Sequence, residues 1–155
     1  MSKGWWKSIK NNISLPILKK LSNYGIISKK SENNIYSKYS RDLGIKAING
    51  NVISKTLSGG NRQKVVLAKW LATNPSILIM NNPTRGIDVG VKSEVYELMR
   101  KLSVSGIAIL LFSDELPELI GMSDRIFIMR DKEISAFFDN YTHNLSEKEI
   151  IKYMI

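Results

Sequence analysis

Leu57, Ser58, Gly59, Gly60 and Asn61 stand at the head of a stretch with helical periodicity. A serine and two glycines in that place make an anion site. The glycines let the backbone come close to a ligand. The helix start supplies unbonded N–H groups and the positive end of the dipole, a setting suited to phosphate. The five residues alone are weak, because a Ser-Gly-Gly turn is also a common plain loop. His143 is the one histidine of the chain, lies in a polar tail and reads as a surface residue. Lys64 and Lys92 read as surface too.

The elements that must position this turn follow from periodicity. Residues 1 to about 15 read as an irregular basic tail; Trp5-Trp6, between Lys3 and Lys7, fits a membrane interface, but packing on its own domain is the preferred reading. From Leu15 to about Ser54 the pattern is helical and polar. Ile35, Tyr39 and Leu43 recur at helical spacing and mark one amphipathic helix. A longer helix spans Ser58 to Thr73, with Val66, Leu67, Trp70 and Leu71 as its apolar stripe. Asn74-Pro75 stops it. Ile77 to Met80 is a continuous apolar run, as in a strand buried on both faces. Asp88 is placed to cap the next helix, whose stripe is Val91, Val95, Leu98 and Leu102. Gly106 ends that helix, and Ile107 to Phe112 is a second buried strand.

Strand, helix and strand in so short a span is a βαβ unit, so a parallel sheet is expected. A short helix follows near Glu115 to Gly121. Arg125 to Arg130 and Ile134 to Phe138 are two further strands, joined as an antiparallel hairpin through Asp131-Lys132. Ser146-Glu147-Lys148-Glu149 reads as a capping box opening a last helix. The fold class is α/β, with a helical segment over 1–75 and part of a sheet with flanking helices over 76–155.

At 155 residues the chain is the size of one domain and long enough to bury a core. It has no cysteine, which excludes a disulfide framework and a thiolate metal site. No apolar run approaches the roughly 20 residues of a membrane span, and no signal peptide is visible at the N-terminus. The net charge of +9 admits nucleic acid, an anionic membrane surface or an anionic ligand such as a nucleotide. The bland account of that charge, a solvated surface, is preferred.

The order of the parts is more specific than any one of them. The turn Leu57–Asn61, an amphipathic helix, Asn74-Pro75, an apolar strand and then Pro83-Thr84-Arg85-Gly86-Ile87-Asp88 resembles the ABC ATPase family. Its signature LSGGQ is followed by a helix, the Walker B strand and a D-loop. More narrowly, the chain looks like the C-terminal part of the second ATPase cassette of bacterial sugar importers of the ribose and galactose type. The likeness continues through Val89-Gly90, Ser113 to Leu119 and Gly121 to Arg125. Ile13-Ser14-Leu15-Pro16 fits the start of the family's helical subdomain, so the resemblance covers nearly the whole chain.

The same resemblance marks what is altered. The family binds ATP through a P-loop, GxxxxGK[ST]. Here none of the ten glycines is followed by lysine. The chain is expected to begin just after the family's Q-loop, without the N-terminal half of the ATPase core. The family ends its Walker B strand with Asp-Glu, the aspartate for the Mg²⁺ shell and the glutamate for the attacking water. Those positions are Asn81 and Asn82. An amide accepts no proton from water and is a poorer partner for a hard cation than a carboxylate. Losing a general base typically slows a reaction by about 10²- to 10⁴-fold. The family's switch-loop histidine falls at Asp114, a position often not histidine in this subfamily's second cassette.

Two parts look intact. In the family, ATP is held between two cassettes, and the signature of one touches the γ-phosphate bound by the other. The resemblance therefore implies that Leu57, Ser58, Gly59, Gly60 and Asn61 contact ATP in trans, with Asp88 as the D-loop aspartate. ATP and Mg²⁺ would enter only through a partner cassette, and no metal ligand is intact. The implied partners are another ABC cassette and sugar permease subunits, at the cytoplasmic face of the cell membrane. One alternative is a remnant of such a subunit with no present function. A basic nucleic-acid-binding module is the other, disfavoured because no motif for it is visible. Strands left open by the absent half predict poor solubility or self-association.

Overall fold

Ile9, Ile13 and Ile17 fall four residues apart, and all three are buried. That spacing is one face of a helix, and the N-terminal segment expected to be irregular forms α1 (Ile9–Ser14). The Ser8 hydroxyl caps it by accepting from the Asn11 N–H at 3.3 Å. The computed structural model describes residues 6–141 and 145–154. Trp5 and His143 lie outside the described residues. Trp6 is exposed, with the Lys55 ammonium 3.8 Å above its ring.

Packing divides the chain into two compact units. The first takes the residues through Leu78 together with Thr84–Ile109; the second takes Ile79–Pro83 and the residues from Leu110 on. In the first unit, α1 leads through a short 3₁₀ turn into α2 (Leu18–Leu21). A two-stranded ribbon, β1 (Ser22–Asn23) and β2 (Ile26–Ile27), follows within the segment read as helical. Next comes α3 (Lys29–Asp42), capped by Ser28 and ended by Gly44 at φ 58°. Then comes α4 (Gly59–Leu71), and α1 packs against both α3 and α4.

On α4 the inward residues are Val65, Leu67, Ala68 and Leu71. The expected stripe is right at Leu67 and Leu71, but Trp70 sits on the rim, about half exposed. The Tyr39 hydroxyl of α3 donates to the Leu71 carbonyl at 2.8 Å, holding the end of α4. Burial, and after it the neighbouring Asp42 charge, raises the Tyr39 phenol above its ordinary range.

β3 (Ile77–Asn81) and β4 (Ala108–Phe112) form a two-stranded sheet, with α5 (Val89–Val104) between them in sequence. The Ala108 N–H donates to the Ser76 carbonyl and the Asn82 N–H to the Phe112 carbonyl, so residue numbers rise together and the pair is parallel. The expectation that these strands are buried on both faces is not met. Leu78 and Met80 are inside, while Ile77 and Ile79 are 63% and 66% exposed. Alternate side chains point to opposite faces, and only one face is covered.

In the second unit, β5 (Arg125–Arg130) and β6 (Glu133–Asp139) make the antiparallel hairpin the sequence predicts. Asp131 and Lys132 turn it with φ of 50° and 70°, the two successive positive values of a type I′ turn. Ile126 and Ile128 face inward against Ile150, with Leu116, Leu119 and Phe138 around them. The helices here are α6 (Leu116–Met122) and α7 (Glu147–Ile151), the latter opened by the Ser146–Glu149 capping box. Among the described residues no helix is long and apolar enough to cross a membrane.

Candidate functional site

Ser58 is the N-cap of α4 because its extended backbone lets the hydroxyl reach back to the first turn. Its Oγ accepts from the Asn61 N–H at 3.4 Å and from Asn61 Nδ2 at 3.0 Å. Both bonds use the oxygen lone pairs. The serine O–H is left to donate outward from an exposed position. Asn61 Oδ1 accepts from the Lys46 N–H at 2.7 Å. Asn61 therefore ties the turn to the loop after α3, a structural duty. Leu57 precedes the cap, half-buried.

The two glycines differ. A methyl at Gly59 would meet Ile87 no closer than 3.5 Å, an ordinary contact. A methyl at Gly60 would overlap the Val91 side chain of α5. Gly60 is thus required by helix packing, whereas Gly59 has room for a methyl beside Ile87 and Gly86. As first-turn residues of α4, both carry amides with no partner inside the helix.

Asp88 occupies the N-cap of α5, but the expected side-chain cap does not form. Its backbone carbonyl accepts from Val91 and Lys92, each at 2.9 Å, and its carboxylate is exposed instead. Ile87 and Gly86 lie beside Gly59, so the loop before α5 abuts the signature turn within one compact unit.

Lys64 is not the surface residue its place off the apolar stripe suggests. Its side chain is only 12% exposed, 2.6 Å from a Glu94 carboxylate oxygen on α5. It also donates to the Gly44 carbonyl at 3.1 Å. The Lys64 hydrogen bond, and then its charge, hold the Glu94 carboxyl below the usual carboxylate range. The sequence held one hint, a lysine flanking buried Val65. Its partners lie 20 and 30 residues away and are not visible from spacing. A cleft of about 210 Å³ beside this bridge includes none of Leu57–Asn61 and is walled by paired charges.

The second unit holds the other sequence-selected residues. Asn81 ends β3 with an exposed side chain. Asn82 follows in the left-handed region at φ 47°, which asparagine tolerates better than most residues. Its N–H donates to the Phe112 carbonyl at 2.8 Å, and its Oδ1 accepts from the Asp114 N–H at 3.3 Å. Asn82 and Asp114 are thus brought together by the Asn82 side chain and the Asp114 N–H. The pair of amides does not fit a Mg²⁺ shell: neutral carboxamides replace the charged oxygens a hard cation requires. Among the described residues no cluster of His, Cys, Asp or Glu could hold a metal ion.

The α/β arrangement of these elements defines the class: the fold is that of an ATP-binding cassette. A nucleotide-free ATP-binding cassette from an ABC transporter superposes with a TM-score of 0.80 at 16% identity, over 98% of this chain and 62% of that one. A dimeric post-hydrolysis cassette bound to ADP and Pi gives 0.73 at 22% identity, over 87% of this chain and 57% of that one. The family model described as ABC transporter matches residues 5–85, and the chain belongs to the ABC transporter family. Among curated relatives, "Ribose import ATP-binding protein RbsA" of Geobacillus kaustophilus (strain HTA426) is 45% identical over 133 residues, 86% of this chain and 27% of that protein. The protein of the same name from Oceanobacillus iheyensis is 48% identical over 129 residues, 83% of this chain and 26% of that protein. The chain therefore spans little more than a quarter of the relatives' length.

Proposed function

We propose that this chain presents a signature turn to ATP bound by a partner cassette of a ribose-type importer and does not hydrolyse ATP alone. One contrast carries the reading. Ser58 caps α4 from an exposed position, its hydroxyl hydrogen left over from the Asn61 bonds, while Asn81 and Asn82 stand where the resemblance calls for acids. In this reading Ser58 donates its hydroxyl to a γ-phosphate oxygen. The Gly59 amide adds a second donor, and the bare glycine allows the approach. Asn61 and Gly60 hold the turn in shape, and the Asp88 carboxylate faces the same partner. Residues 1–75 carry the signature and 76–155 supply core strands. Sugar permease subunits at the inner face of the cell membrane complete the assembly.

The bound nucleotide would supply the phosphate charge that the turn recognises. At Asn81 and Asn82 a carboxamide cannot take up the proton of an attacking water. Capture of the chain by an ATP-loaded partner cassette tests the reading. Association should require ATP rather than ADP and should fall at least tenfold in Ser58→Ala, roughly the loss of a charge-assisted hydrogen bond. Equal capture with ATP and ADP would favour the remnant reading instead.

A further inference from the structure

Residues 1–31 contain seven lysines and no acidic residue, so most of the chain's net charge of +9 lies at one end. Four of them, Lys19, Lys20, Lys29 and Lys30, are exposed and flank the β1–β2 ribbon on both sides. The ribbon turns through Tyr24 and Gly25, with φ of 49° and 80°. Two successive positive values make a type I′ hairpin turn, whose first central position strongly prefers Asn, Asp or Gly. A tyrosine there holds backbone strain. Packing does not offset it, since Tyr24 is 99% exposed. Ile26, on the returning strand, is 76% exposed, and Ile27 is exposed as well.

The fold gives no reason for an aromatic at this tip. A strained residue that the fold does not require points to an external contact. The geometry points to residues 19–30 as a docking surface for an anionic membrane. The tyrosine ring and the two isoleucines suit the boundary between headgroups and acyl chains. The lysine stems reach outward to place ammonium groups among lipid phosphates. A neutral apolar partner would leave the four lysines without a counter-charge. An acidic protein face would match the lysines but leave the bare apolar tip in water. The surface uses no residue of the signature turn, so it stands or falls independently of the proposed function.

The test is co-sedimentation of the full chain with phosphatidylcholine vesicles, with and without phosphatidylglycerol, at low and high salt. Binding should require the anionic lipid and weaken as salt shortens the screening length. Lys29→Glu and Lys30→Glu should each reduce it by about fivefold or more. Tyr24→Asn is the decisive variant. Asparagine suits the turn, so thermal stability is kept or raised while vesicle binding falls. Equal binding to neutral and anionic vesicles, or wild-type binding by Tyr24→Asn, overturns the inference. Capture by polyglutamate that depends on Tyr24, without vesicle binding, also overturns it by giving the surface to an acidic protein.

Discussion

Lys64 and Glu94 meet at 2.6 Å, and the same ammonium group donates to the Gly44 carbonyl at 3.1 Å. One largely buried lysine thus joins the signature helix α4, the end of α3 and the helix α5 behind Asp88. Lys64→Met should destabilise the chain by about 1–3 kcal/mol, because the Gly44 carbonyl and the Glu94 carboxylate both lose this donor.

The same bridge sets a pH dependence. Glu94 has a folded pKa held below its unfolded value by Lys64. Its contribution is therefore present above the ordinary carboxylate range and is lost as pH falls through the lowered folded value. Thermal unfolding across the acid range should show wild type losing stability more steeply than Glu94→Gln.

Gly59 and Gly60 should separate folding from function. Gly60→Ala drives a methyl into Val91 and should cost about 1–3 kcal/mol by overpacking. Val91→Ala in the same chain should recover part of it. Gly59→Ala should leave stability within about 0.5 kcal/mol. Denaturant unfolding of the three variants checks this; equal loss in both single variants would contradict the packing assignment.

The Ser146–Glu149 box and the Asp131-Lys132 turn were legible because each is a local pattern with a local cause. The order α4, β3, α5, β4 was legible because these elements follow one another along the chain. The α1 helix was missed although Ile9, Ile13 and Ile17 carry its spacing, because Lys10, Asn11 and Asn12 between them disguise a short helix as a polar tail. Lys64 was misread because its partners are distant in sequence. Asp88 holds the cap position without its side-chain bond, a choice of rotamer that no sequence pattern specifies.

Asn82 joins the end of β3 to the loop after β4 from a left-handed backbone. Asn82→Gly keeps the backbone and loses one acceptor, a cost of about 0.5–1.5 kcal/mol. Asn82→Val adds β-branched strain and should cost about 1–3 kcal/mol. The double change Asn81→Asp with Asn82→Glu should not confer ATP turnover on the chain alone. Phosphate release measured on that variant checks the point.

Asn140 is 1% exposed and donates to the Ile120 and Ser123 carbonyls at the end of α6, at 2.8 and 2.9 Å. Its own N–H reaches the Asp124 carbonyl at 2.7 Å. Asn140→Ala strips two part-buried carbonyls of a donor and should cost about 1–2 kcal/mol. Hydrogen exchange should show α6 losing protection first.

The uncovered face of β3 predicts self-association of the isolated chain. Ile77→Lys together with Ile79→Lys should shift sedimentation velocity toward monomer. A monomeric wild type with a sharp cooperative unfolding transition would contradict this prediction.

The central claim is that the chain meets ATP only through a partner. It is tested most directly by titrating the purified 155-residue chain with fluorescent ATP and Mg²⁺, first alone and then with an ATP-binding partner cassette. The account predicts no saturable binding alone and a Ser58-dependent gain in the partner's affinity. Saturable micromolar binding by the chain alone would contradict it.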